Sequence, residues 1–175
     1  MRKQYIELER QIVAGDLGIL RIKEMRNTLE AYSYEMRSNI DQYGSLEKYI
    51  EPSQKEKFLA EINQTVEWLY EPAGEAATAQ ELQVRITHFK QLGEPIKQRQ
   101  FYYSEVAVYF EQFDRISEKL QNMLGQGSLN EKQSKQLLDK HGGVQNMIAK
   151  YKADKDGKQL WEDPKYSVSD LQSSI

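Results

Sequence analysis

The chain has 175 residues, 39% hydrophobic and 29% charged, and its 24 Lys and Arg against 27 Asp and Glu give a net charge of −3. There is no cysteine, which excludes disulfides, thiolate metal sites and a cysteine nucleophile. The charge signs are interspersed, so the sequence lacks the large basic face that nucleic acid requires. No apolar run approaches the ~20 residues of a membrane span.

In chain order, helical spacing dominates. A first segment carries Tyr5, Ile6, Leu8, Ile12 and Val13. Gly15 and Gly18 follow, each costing a helix about 1 kcal/mol, and predict a kink or break. From residue 22 the apolar positions Ile22, Met25, Leu29, Tyr32, Met36 and Ile40 recur at steps of three and four, drawing one stripe along a helix. Pro52, Ser53 and Glu56 read as a capping box opening the next helix, whose stripe is Phe58, Ile62, Val66 and Leu69, with Pro72 and Gly74 as its stop.

Thr78 and Glu81 form a second capping box before Leu82, Ile86, Phe89 and Leu92. Gly93 is expected to stop that helix and Pro95 to start another. The last long stripe is Tyr103, Val106, Phe110, Phe113, Ile116, Leu120 and Leu124. Residues 101–110 are rich in aromatic and β-branched side chains, but the helical spacing continues past them, which favours helix over strand. Gly125, Gly127 and Ser128 predict a turn. A final helix carries Leu137, His141, Val144, Ile148 and Tyr151 despite Gly142 and Gly143. The chain from Ala153 reads as an extended tail pinned by Trp161.

The expected fold is therefore all-α: a long lead helix, an antiparallel helical bundle and an extended C-terminal tail. The helical domain is placed at 1–152, divided into a lead helix at 1–20, a main bundle at 21–124 and a final helix at 128–152, with the tail at 153–175.

Signatures of chemistry are absent. There is no dinucleotide-binding glycine fingerprint, no phosphate loop and no nucleophile elbow, so no enzymatic activity and no cofactor are expected. The two histidines, His88 and His141, are too few for a zinc site built on Cys or His; His141 is read as a core-edge residue and His88 as a surface one. The acidic pairs Glu7/Glu9 and Asp154/Asp156 are read as solvated helix faces rather than acid–base machinery. Asn63-Gln64-Thr65 matches a glycosylation sequon but falls inside a predicted helix beside core positions. The 11 tyrosines are the unusual feature: they serve equally well as bundle filling or as interface contacts.

Three motifs carry a family resemblance. Arg26-Asn27-Thr28-Leu29-Glu30-Ala31-Tyr32-Ser33-Tyr34-Glu35-Met36-Arg37, Thr65-Val66-Glu67-Trp68-Leu69-Tyr70-Glu71 and Leu92-Gly93-Glu94-Pro95-Ile96-Lys97 occur in that order. Together they resemble the C-terminal helical lid of the seventy-kilodalton heat-shock chaperone superfamily. Trp-Leu-Tyr-Glu, the helices after Pro95 and the late Asp163-Pro164 are most similar to the large, one-hundred-and-ten-kilodalton branch. Gly15, Gly18 and the double glycine at 142 depart from the pattern.

The resemblance implies a chaperone or co-chaperone module that docks on the ATPase domain of a seventy-kilodalton heat-shock chaperone as a nucleotide exchange factor and supports the holding of unfolded client proteins. It implies a partner-binding role for Asn27 and Glu30, and a cytoplasmic setting, with the endoplasmic reticulum lumen as the other compartment. No nucleic acid, membrane or metal partner is expected. The competing reading is a structural helical component of a larger assembly.

Overall fold

The computed structural model describes the backbone of residues 2–174 and the side chains of residues 9–174. Tyr5, Ile6, Glu7 and Leu8 lie outside the described side chains. Among the described residues every regular element is helical: α1 (Arg2–Ile40), a 3-10 turn (Glu47–Tyr49), α2 (Pro52–Leu69), α3 (Pro72–Glu75), α4 (Ala79–Gly125), α5 (Glu131–Asp156) and α6 (Val168–Gln172). Contacts divide the chain into two compact units, Met1–Pro95 and Ile96–Ile175.

In the first unit the predicted stripe of α1 is the core edge. Leu29, Met36 and Ile40 are fully buried and Tyr32 nearly so. Pairings of Arg26 with the Leu69 carbonyl and of Arg37 with Asn63 show α1 and α2 antiparallel. Phe58 against Phe89 (ring centroids 5.6 Å apart) and Arg85 over Trp68 (3.9 Å) show α2 and α4 antiparallel as well. Ile62 and Thr65 line the buried side of α2, so Asn63 sits on a packed helix.

Three local expectations are corrected. Gly15 and Gly18 do not break α1, which is continuous; a Cβ at either would meet nothing within 4 Å, so no packing demands glycine there. Ser53 and Glu56 do not form a capping box. Glu51 is the N-cap with Pro52 at the first helical position, and Ser53 Oγ donates instead to Glu51 Oε1 at 2.9 Å. Gly93 and Pro95 neither stop nor start a helix, because α4 runs through both. Pro95 cannot donate to the Gln91 carbonyl. Side chains on either side of it are nevertheless buried, with Leu82, Ile86 and Phe89 before and Tyr103 and Val106 after. Gly93 has a different reason for being there: a Cβ would run into the Tyr32 hydroxyl and the Met36 thioether, so its smallness is what lets α4 lie against α1.

The Thr78–Glu81 box is present. Glu81 Oε2 accepts from the Thr78 N–H at 2.8 Å, and the Glu81 N–H donates to Thr78 Oγ1 at 3.3 Å. The Glu81 carboxyl is held below its usual range mainly by that backbone bond.

In the second unit, α4 and α5 pair antiparallel across the turn at 126–130, where Gly127 takes a left-handed φ of 63°. The predicted final helix stands. It opens on a full Asn130–Gln133 capping box and passes through Gly142-Gly143 unbroken. Phe113, Leu120, Ile148 and Tyr151 are buried, whereas Ile116 is 44% exposed and so lies off the core. The tail beyond α5 carries α6, and its anchors are Leu171, fully buried, and Tyr166, whose ring lies 4.9 Å from that of Tyr151. Trp161 is only half-buried. No helix among the described residues is long and apolar enough to cross a membrane.

Candidate docking face

The residues implied by the resemblance lie on one face of α1. Asn27, Glu30, Tyr34 and Arg37 follow at steps of three, four and three, which a helix aligns on one side. Asn27 is exposed, and its amide offers a donor and an acceptor. Glu30 is half-buried because it leans toward the end of α2, where the Tyr70 hydroxyl donates to its carboxylate. That hydrogen bond to an anion is the chief reason the Tyr70 hydroxyl is pushed up to about 12. Tyr34 stays 39% exposed, with the Arg37 guanidinium 4.9 Å over its ring.

Tyr70 reaches Glu30 because it is the C-cap of α2, its own N–H bonded to the Glu67 carbonyl. One residue-turn earlier on α1, Arg26 donates to the Leu69 carbonyl at 2.6 Å and to the Gly74 carbonyl. A cation thus satisfies carbonyls at the C-terminal end of α2, where the helix dipole favours positive charge and the last turn has no basic residue of its own. Neither Tyr70 nor Arg26 was singled out from the sequence as a site residue. Tyr70 was visible there only as the tyrosine of Trp-Leu-Tyr-Glu.

The face is polar and aromatic, with one carboxylate oriented by a tyrosine and one unoccupied amide. Its groups are of kinds that can meet another protein's surface, and among the described residues it brings together no nucleophile, base and orienter. Three other titratable groups have local structural work. His88 pairs with Glu61 at 2.7 Å on the surface. His141 stacks on Phe113 at 4.8 Å and bonds Ser117 Oγ at 2.7 Å. The Ser117 hydroxyl already donates to the Phe113 carbonyl, so His141 Nε2 is the donor of the pair. Burial raises the Asp154 carboxyl, but the Lys165 N–H and the Lys158 ammonium, each at 3.0 Å, outweigh it and hold the group below its usual range. Among the described residues no group of three or more His, Asp or Glu is placed to hold a metal ion.

Comparison with known proteins bears on the resemblance. No family model matches the chain, and no solved structure matches it. Among curated proteins, heat shock protein 88 of Dictyostelium discoideum is 34% identical over 97 residues, 55% of this chain and 12% of that protein. The 97 kDa heat shock protein of Mesocentrotus franciscanus is 27% identical over 181 aligned positions, covering 98% of this chain and 20% of that protein. Heat shock 70 kDa protein 4 of Homo sapiens is 28% identical over 129 residues, 70% of this chain and 15% of its own length. The chain thus spans a fifth or less of the length of these relatives. The similarity read from three short motifs extends, at modest identity, over most of the chain, and the proteins it is similar to are heat-shock proteins that include the 97 kDa and 70 kDa protein 4 types.

Proposed function

We propose that this helical region is a non-enzymatic docking module of a chaperone system, and that its Asn27–Glu30 face binds the ATPase domain of a seventy-kilodalton heat-shock chaperone. The supporting observation is the surface just described: exposed Asn27, and Glu30 pre-oriented by Tyr70, beside exposed Tyr34. A carboxylate held in place before binding loses little side-chain entropy when it meets an Arg or Lys of the partner. Nucleotide exchange follows on this reading from holding the partner's ATPase lobes apart, and client holding from the same assembly. The setting proposed is the cytoplasm.

The test is titration of the full chain with a purified ATPase domain, comparing wild type with the Asn27→Tyr, Glu30→Ala double variant. Truncating one partner of a charge pair desolvated in such an interface costs roughly 2–5 kcal/mol. The expected result is strong weakening with an unchanged helical spectrum, because Glu30 stands outside the buried stripe and the released Tyr70 hydroxyl is at a 63% exposed position where water replaces the carboxylate. Equal binding by both proteins would remove the docking assignment. Micromolar binding of ATP by the chain alone, measured calorimetrically, would remove the non-enzymatic one.

A further inference from the structure

The second unit has an unfilled groove that the proposed docking face does not use. It lies between the C-terminal half of α4 and the N-terminal half of α5 and encloses about 430 Å³. One wall is Phe113, Ile116, Leu120 and Met123, at steps of three, four and three; the other is Leu137, His141 and Val144, at steps of four and three. These are two facing helical ridges, about 15 Å long on α4 and about 10 Å long on α5 at 1.5 Å per residue. Ile116, Met123 and Leu137 remain 44%, 41% and 38% exposed, so the ridges are wet along one side.

Charge on the walls is one-sided. Lys119 stands on the α4 wall and Lys140 on the α5 wall, Ser174 of the tail closes part of the lining, and among the described residues no carboxylate lines the groove. Neither lysine is paired with an acid among the described residues. In a chain of net charge −3 this is a local reversal of sign.

We propose that this groove docks an acidic amphipathic helix of a partner protein. Its apolar side chains seat between the α4 and α5 ridges while carboxylates on its two flanks meet Lys119 and Lys140. A pair of antiparallel helices with an open apolar seam is completed by a third helix, which presents its own apolar stripe at the same three-and-four spacing. A small amphiphile suits the site less well, because good small-molecule sites bury most of the ligand and this one is open along its length. A second copy of this chain is also disfavoured. Its exposed apolar helix, residues 9–24, carries Glu9, Asp16 and Glu24 against Arg10, Arg21 and Lys23, and so has no net negative charge to offer.

The test is fluorescence anisotropy on the full chain. The probe is a dye-labelled peptide of about fifteen residues with Leu at three-and-four spacing and Glu on both flanks; its twin has Lys for each Glu. The acidic peptide is expected to bind saturably and the basic twin roughly tenfold more weakly, with the gap closing at high salt. The Lys119→Glu, Lys140→Glu double variant, whose changes are confined to exposed side chains, is expected to reverse the order of the two peptides. Leu137→Ser and Met123→Gln, made separately and checked for an unchanged helical spectrum, are expected to weaken both peptides. Three outcomes would overturn the proposal: no saturable binding of the acidic peptide, equal binding of both peptides to both proteins, or concentration-dependent self-association that the lysine reversal abolishes.

Discussion

The two halves of α1 both carry apolar residues at steps of three and four, Val13, Leu17 and Leu20 in the first, and they have opposite fates. In the first half Ile12, Val13, Leu17, Ile19 and Leu20 are all more than half exposed. In the second half Leu29, Met36 and Ile40 have no accessible surface. One continuous helix carries both. Spacing of three and four therefore identifies a surface that is able to be buried; whether it is buried depends on what other segment reaches it. From Leu29 onward α2 and α4 reach it, whereas among the described residues nothing covers 9–20.

The sharpest way to break this comparison is to truncate one leucine in each half. Leu29→Ala should destabilise the fold by about 2–5 kcal/mol, since it removes a packed side chain and leaves a cavity. Leu17→Ala should change stability by less than about 0.5 kcal/mol. Urea denaturation followed by circular dichroism measures both, and equal effects would show that the first half is buried in solution.

Gly93→Ala probes the same packing from the α4 side. The added methyl must displace the Tyr32 hydroxyl or the Met36 side chain, at a cost of about 1–3 kcal/mol in the same assay. Tyr32 has little freedom to retreat, because its hydroxyl donates to Glu94 Oε1 at 3.0 Å. A neutral or stabilising result would mean that α1 and α4 lie further apart than described.

Gly15→Ala and Gly18→Ala act on the uncovered half, where the new methyl groups meet nothing. Each should favour helix locally by about 0.5–1 kcal/mol. The expected reading is more helical signal and slower amide exchange at residues 10–20, with the global unfolding midpoint nearly unmoved. A large rise in the midpoint would tie that half into the cooperative core.

The smallest effect is spectroscopic. Tyr70 is raised from the ordinary tyrosine value to about 12, chiefly by donating to Glu30. A raised group contributes its stabilisation in full below its unfolded value near 10 and loses it as pH climbs through the folded one. Ultraviolet difference titration of wild type against Tyr70→Phe should therefore lose a component titrating toward pH 12, and Glu30→Gln should move that component down.

Much of this fold was legible because helical periodicity survives as a pattern in the residues themselves. The stripes of α1, α2 and α4, the Thr78–Glu81 box and α5 all follow from spacing that can be counted. What misled were single residues with strong local preferences. Gly15, Gly18, Gly93 and Pro95 all signal helix ends, yet each sits inside a helix, and Phe89 before Pro95 and Val106 after it are both buried. Ser53 lost its predicted cap because Pro52 already fixes the first helical position and puts Glu51 at the N-cap. The candidate site was half legible. Asn27 and Glu30 share a face by arithmetic, but the Tyr70–Glu30 bond joins residues 40 apart and no local pattern encodes it.

The Arg26 contact has a consequence for the order in which the chain acquires structure. The cation that closes the end of α2 is borrowed from a residue 43 positions earlier, on another helix. Severed from α1, a peptide of α2 would lose its terminal counter-charge and fray from Leu69 backwards. Helix termination here has a tertiary part: the Tyr70 cap is local, but the Leu69 carbonyl is satisfied from α1, so the last turn of α2 is expected to hold best once α1 has docked.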